Sequence, residues 1–183
     1  MSVETIGFLE LSSIAKGIEA ADAVCKTADV ELISARASCP GKYYVLFCGG
    51  VAAVRASLEA GALIGEGFVV DQCLIPRVHP QVIQAMHSAG EMQTSGALGV
   101  MEFYSVTAAI YAADAAVKAA DVDIIELRLA TGIGGKSFAA LTGEVAAVNE
   151  AIQCGVTTQE SQGMVLAHVV IANPRPEMFE SLG

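Results

Sequence analysis

The chain has 183 residues, a formal net charge of −10 and 54% hydrophobic residues. That length suits one large or two small domains with a buried core, and the acidic balance argues against nucleic acid as a partner. No unbroken apolar run reaches the ~18 residues of a membrane span, so no membrane partner is expected. In chain order, "TIGFLEL" reads as a strand and "SSIAKGIEAADAVCKTA" as a helix with serine available as N-cap. Its residues Ile14, Ile18, Ala21, Cys25 and Ala28 follow the 4-3-4-3 spacing of one apolar face, which predicts that this face is buried. "VELISARA" is a second strand, "CPGK" a turn, "YYVLFCG" a third strand, and "GVAAVRASLEAGAL" a second helix. "GFVVDQCLI" is a fourth strand and "HPQVIQAMHS" a short last helix.

The same plan then repeats. "GFLELSSIAKGIEAADAVCKTADVELI" from Gly7 aligns with "GVMEFYSVTAAIYAADAAVKAADVDII" from Gly99, and 12 of the 25 positions from Ile6 to Val30 are identical. Past a two-residue shift, "GKYYVLFCGGVAAV" aligns with "GKSFAALTGEVAAV". Near the ends, "GFVVDQCLIPRVHP" aligns with "GMVLAHVVIANPRP". A period this long is not a solenoid unit. The chain reads as two tandem α+β domains, residues 1–92 and 93–183, with "SAGEMQTSGA" as linker. Each has the order βαββαβ of a ferredoxin-like split βαβ fold, a mainly antiparallel sheet with helices on one face.

The repeat sorts the five cysteines. Cys25 aligns with Val117, Cys73 with Val169 and Cys154 with Ala60, which predicts three small buried side chains. Cys48 aligns with Thr142 near a strand end and is read the same way. Cys39 differs, because its counterpart is the longer glycine loop Thr131–Lys136. Pro40-Gly41 fixes a tight turn beside it and presents the sulfur at a tip. With no secretory pattern in "MSVETIGFLEL" and no CxxC pair, a reducing intracellular setting with free thiols is expected. A solitary tip thiol binds no soft metal alone, but does so where a symmetry axis brings copies together.

Other motifs are weaker. Ala130 to Ser137 fits a loose phosphate-loop pattern, but that mechanism needs a helix after the loop, and here a strand is expected. His79, His87 and His168 share no obvious partner; His79 reads as a solvent-exposed loop residue and His168 as an outward or interface strand residue. Glu10 and Glu102 recur at one position of both halves, which favours a structural role such as accepting a lysine hydrogen bond. Lys26 and Lys118 end equivalent helices, where a cation suits the helix dipole. No catalytic constellation emerges, and the chain is not read as an enzyme.

With these segments in hand, the chain resembles the tandem-domain shell proteins of bacterial microcompartments. The strand–helix repeats, "GKYYVLFCGGVAAVRASLEAG" and "GKSFAALTGEVAAVNEAIQCG" carry the resemblance end to end, and "SIAKGIEAAD", "CPGK" and "GIGGK" resemble the trimeric propanediol-utilisation (PduT-type) subgroup. The resemblance implies a homotrimer whose six domains make a pseudohexagonal tile, packed against other shell proteins around enzymes in the cytoplasm. It implies that Ser38, Cys39, Pro40 and Gly41 alternate with Gly132, Ile133, Gly134 and Gly135 around the central axis. It further implies one 4Fe–4S cluster per trimer, held by three Cys39 thiolates, passing electrons to or from a redox enzyme across the shell. Three thiolates on a 2+ core leave a net negative charge, for which Lys42 is the nearby cation. A plain tile with an open pore for metabolites is the competing reading.

Overall fold

In the computed structural model, residues 5–87 and 96–182 are described, without the side chain of His87. The expected linker lies mostly outside these residues. The chain forms two compact units, Met1–Val78 and His79–Gly183. The helix that closes the first sequence repeat therefore belongs to the second compact unit.

The first unit contains β1 (Thr5–Leu11), α1 (Ile14–Thr27), β2 (Val30–Ser38), β3 (Lys42–Gly49), α2 (Val51–Gly65) and β4 (Val69–Pro76). Its sheet has the order β2-β3-β1-β4, with every neighbouring pair antiparallel. This is the expected split βαβ arrangement, in which α1 and α2 cross one face. The hydroxyl of Ser13 caps α1 by accepting from the Lys16 N–H. The core beneath the helices joins Leu9, Leu11, Val45 and Phe47 of the sheet to Ala20, Ala21, Val24, Val54 and Leu58.

One expectation about α1 is overturned. Its buried residues are Gly17, Ala20, Ala21 and Val24. Ile14, Ile18 and Cys25 are exposed, and Ala28 is half-buried. The reason is close approach. A Cβ at Gly17 would stand 2.5 Å from the Tyr43 ring, and one at Gly61 of α2 would stand 2.7 Å from Val24. A helix this close needs small residues inward, so its isoleucines stand on the outer flank.

The second unit opens with α3 (Pro80–His87), followed by β5 (Ala97–Phe103), α4 (Val106–Ala119), β6 (Val122–Leu129), β7 (Ser137–Gly143), α5 (Val145–Val156), β8 (Val165–Ile171) and α6 (Pro176–Glu180). Its sheet order, β6-β7-β5-β8, duplicates the first. Helix α3 packs on β6 and α4. Phe179 of α6 is buried against Leu98, Ile125 and Ala140. No helix among the described residues is long and apolar enough to cross a membrane.

Candidate functional site: two unlike hairpins

In the first unit, β2 and β3 are joined by the turn Cys39-Pro40-Gly41, and Ser38 pairs with Lys42 at its base. Gly41 has φ of +71°, which favours glycine there, while a Cβ would meet nothing within 4 Å. The Cys39–Pro40 peptide is cis. Pro40 and Gly41 are exposed and Cys39 is half-buried. The neighbouring Ser38 is buried, and its hydroxyl has no hydrogen-bond partner among the described residues.

In the second unit, the loop between β6 and β7 is longer and turns on glycines, with φ of +76° at Gly132, +68° at Gly134 and +84° at Gly135. The Ala130 N–H donates to the Lys136 carbonyl and the Lys136 N–H to the Ile133 carbonyl. Gly132 and Gly134 are exposed; Ile133 and Gly135 are half-buried. Strand β7 follows the loop directly. The backbone amides therefore head no helix, and the phosphate-loop pattern lacks the geometry that its chemistry requires.

Both hairpins are tied to their sheets in the same way. Lys42 Nζ lies 3.1 Å from Glu10 Oε2, and Lys136 pairs with Glu102. The repeated glutamates thus accept from lysines at the bases of the two loops, as their repetition suggested. Burial holds the Glu10 carboxyl above its ordinary range, against the opposing pull of Lys42. Lys42 is consequently engaged by Glu10, and its charge is not a free counterion for the turn. A second matched feature escaped the sequence reading. Arg36 lies 5.4 Å over the Tyr44 ring, and Arg128 lies 5.5 Å over the Phe138 ring. The signal was present, since both arginines and both aromatics stand at repeat-equivalent positions.

The other thiols divide differently from expectation. Cys48 and Cys73 are buried, and burial pushes both thiols up, which makes them poor thiolates. Cys25 and Cys154 are exposed, not core residues. Cys25 follows Ile14 and Ile18 on the outer flank of α1. His79 is half-buried, with Nδ1 accepting from the Gln81 N–H, whereas His168 faces outward as expected. Among the described residues, no three His, Cys, Asp or Glu side chains converge as a metal site. The donor chemistry at the first turn is a single soft thiol at a tip, flanked by open space at Gly41. It fits a group shared between copies and not a group held by one chain.

The BMC domain family model matches residues 5–78 and 97–174. The bacterial microcompartment shell protein PduT of Citrobacter freundii is 36% identical over 98% of this chain and 97% of its own. The shell protein PduA of Salmonella typhimurium is 37% identical over 45% of this chain but 89% of its own, so one half here corresponds to nearly all of that protein. A crystal structure of a microcompartment protein from Desulfitobacterium hafniense superposes with a TM-score of 0.92 at 45% identity, covering 98% of this chain and 99% of that one.

Proposed function

The chain belongs to the shell proteins of bacterial microcompartments, with two BMC domains in tandem, and from that premise we propose that it forms a trimeric tile whose three Cys39 thiols hold one 4Fe–4S cluster. The observation that carries this reading is the first turn. It presents one thiol per chain at a tip, no cluster of His, Cys, Asp or Glu ligands joins it among the described residues, and the repeat-equivalent loop carries no such ligand. When bound, such a cluster supplies one-electron transfer, with one iron left open to an exogenous ligand.

The residues of this chain set the conditions for that group. Cys39 supplies the thiolate. Gly41 holds the turn in its left-handed conformation and keeps side-chain bulk away from the tip. The Lys42–Glu10 pair anchors the turn to β1 and fixes where the sulfur stands. Ser38, next in sequence to the thiol, contributes a buried hydroxyl without a partner among the described residues. The loop Gly132–Gly135 lines the same axis in alternation, with exposed backbone in place of a ligand. In this reading the protein is a structural element of the shell and not an enzyme. Its neighbours are other shell proteins, and its redox partner is an enzyme on one side of the wall.

Anaerobically purified protein should be brown, contain about four irons per three chains, and bleach with dithionite. Cys39→Ser should abolish iron and colour and leave the oligomer intact. The exposed thiols give the control: Cys25→Ser and Cys154→Ser should keep both signals. Loss of colour in either control, with folding retained, would contradict the assignment to Cys39. Iron-free protein after anaerobic reconstitution would leave the open-pore tile.

A further inference from the structure

The two Glu–Lys anchors carry the same residues in unlike surroundings. The Glu10 side chain is 5% exposed and that of Glu102 is 32% exposed. Lys42 donates to Oε2 of Glu10, while Oε1 is buried with no hydrogen-bond partner among the described residues. Register sets the neighbours. Arg36 of β2, Tyr44 of β3, Glu10 of β1 and Asp71 of β4 stand in one row across the first sheet. The matching row of the second sheet is Arg128, Phe138, Glu102 and Ala167. A second carboxylate therefore stands opposite the glutamate in the first row, and an alanine in the second.

The charged and titratable groups beside Glu10 are Lys42 and Tyr44 of β3, Asp71 of β4 and, beyond Tyr44, Arg36 of β2. Arg36 donates from Nε to the Tyr44 hydroxyl, so Lys42 is the cation that faces Glu10. A buried carboxylate with one oxygen unsatisfied and a second carboxylate opposite is costly in its charged form. Burial accordingly raises the Glu10 pKa, Lys42 opposes the rise and Asp71 adds to it. Lys42 also stands at the base of the first turn, where it pairs with Ser38, the residue before Cys39. Strand geometry puts Glu10 roughly 10 Å from Cys39. While Glu10 is ionised, the pair is neutral. Once Glu10 is protonated, Lys42 carries an unopposed positive charge beneath the turn.

We propose that Glu10 takes up a proton when the group held by the Cys39 thiols gains an electron, so that Lys42 becomes its counter-charge. The inference rests on the reading of Cys39 as the ligand of a shared redox group, and it names how that group is regulated. The electron comes from an external one-electron donor and the proton from solvent. One O–H bond forms on Glu10, no other bond changes, and the copies share at most one proton per electron. Charges at this separation near a protein surface shift such an equilibrium on the order of tenfold. The midpoint potential therefore falls as pH rises from 4.5 through the range in which Glu10 ionises, by about 59 mV in total, and is level on either side.

Mediated redox titration of the anaerobically purified full chain at several pH values tests this. The wild-type potential should fall with pH. Glu10→Gln keeps an acceptor for Lys42 and cannot titrate, so its potential should be level. Glu102→Gln alters the exposed anchor and should keep the wild-type fall. Electrochemical reduction of the wild-type protein in weak buffer should also draw protons from solution, a reading that needs no variant to fold. A level wild-type potential without proton uptake, or a fall that persists in iron-loaded Glu10→Gln, would overturn the coupling and spare the cluster. A fall lost equally in Glu102→Gln would overturn the assignment to the first anchor. Protein that stays iron-free after anaerobic reconstitution would refute the shared group itself, and this inference with it.

Discussion

Helices α1 and α4 share a sequence pattern, a serine cap and a place over equivalent sheets, yet one buries its outer flank and the other does not. Val106 and Ile110 are buried, while Ile14 and Ile18 face outward, and α3 packs against α4. The difference does not come from helical periodicity, which is the same in both. It comes from phase: the sequence repeat places its junction near residue 92, whereas the compact units divide between Val78 and His79. The helix that ends the first repeat serves the following unit, whereas α6, which ends the second, buries Phe179 against its own sheet.

The halves also differ beneath their first helices, where the largest effect of substitution is expected. Gly17 of α1 faces Tyr43; the second half has Ala109 and Ser137 at those positions. A Cβ at Gly17 would come within 2.5 Å of both the Tyr43 Cβ and its ring. Gly17→Ala should destabilise the first unit by about 2 kcal/mol, the overpacking cost exceeding the gain in helix propensity of about 1 kcal/mol. Adding Tyr43→Ser should return part of that loss in urea melts, since the ring contacts disappear and the Cβ contact stays. Full recovery would show that spacing between helix and sheet is the same in both halves; no recovery would place the clash at the Cβ of residue 43 and clear the ring as its cause.

A smaller contrast lies at the helix crossings. Gly61 and Gly155 are equivalent, but a Cβ at Gly61 meets the Val24 side chain, whereas one at Gly155 meets the Ala112 carbonyl at 2.9 Å as well as Met101. A side chain rotates away more cheaply than backbone. Gly61→Ala should therefore cost less than Gly155→Ala, which should cost about 1 kcal/mol net. Equal effects would mean that both crossings relax alike.

These contrasts mark how far the sequence was legible. Strand order, hairpins, serine caps and Glu–Lys anchors followed from local pattern, because each depends on residues within one repeat. The buried face of α1 did not follow. The 4-3-4-3 spacing of Ile14, Ile18 and Cys25 marks an apolar flank, but whether a flank is covered depends on a neighbour that spacing does not specify. The small residues Gly17, Ala20 and Ala21 were the better signal, since only they permit the helix to approach Tyr43 and α2. Cys154 was misplaced for a related reason: alignment with Ala60 identifies a helix position, not its exposure. For Cys39, the sequence identified a turn, and the fold places a half-buried Cys39 in one.

The smallest expected effect separates the two anchors. The Glu10 side chain is 5% exposed and that of Glu102 is 32% exposed. Burial raises the Glu10 pKa above 4.5, Asp71 adds to the rise, and Lys42 offsets part of it. A carboxyl raised in the folded state takes up its proton there first. Its contribution to stability is thus most favourable below pH 4.5 and declines as pH rises through the folded value. Glu10→Gln removes this titration and keeps an acceptor for Lys42. Relative to the variant, the wild-type protein should lose stability as pH rises from 4.5 through that window, with no further relative change above it. Urea unfolding at several pH values checks the sign. A wild-type protein that instead gains on the variant over this window would show that the Lys42 pair outweighs burial, and that the two anchors differ in exposure but not in character.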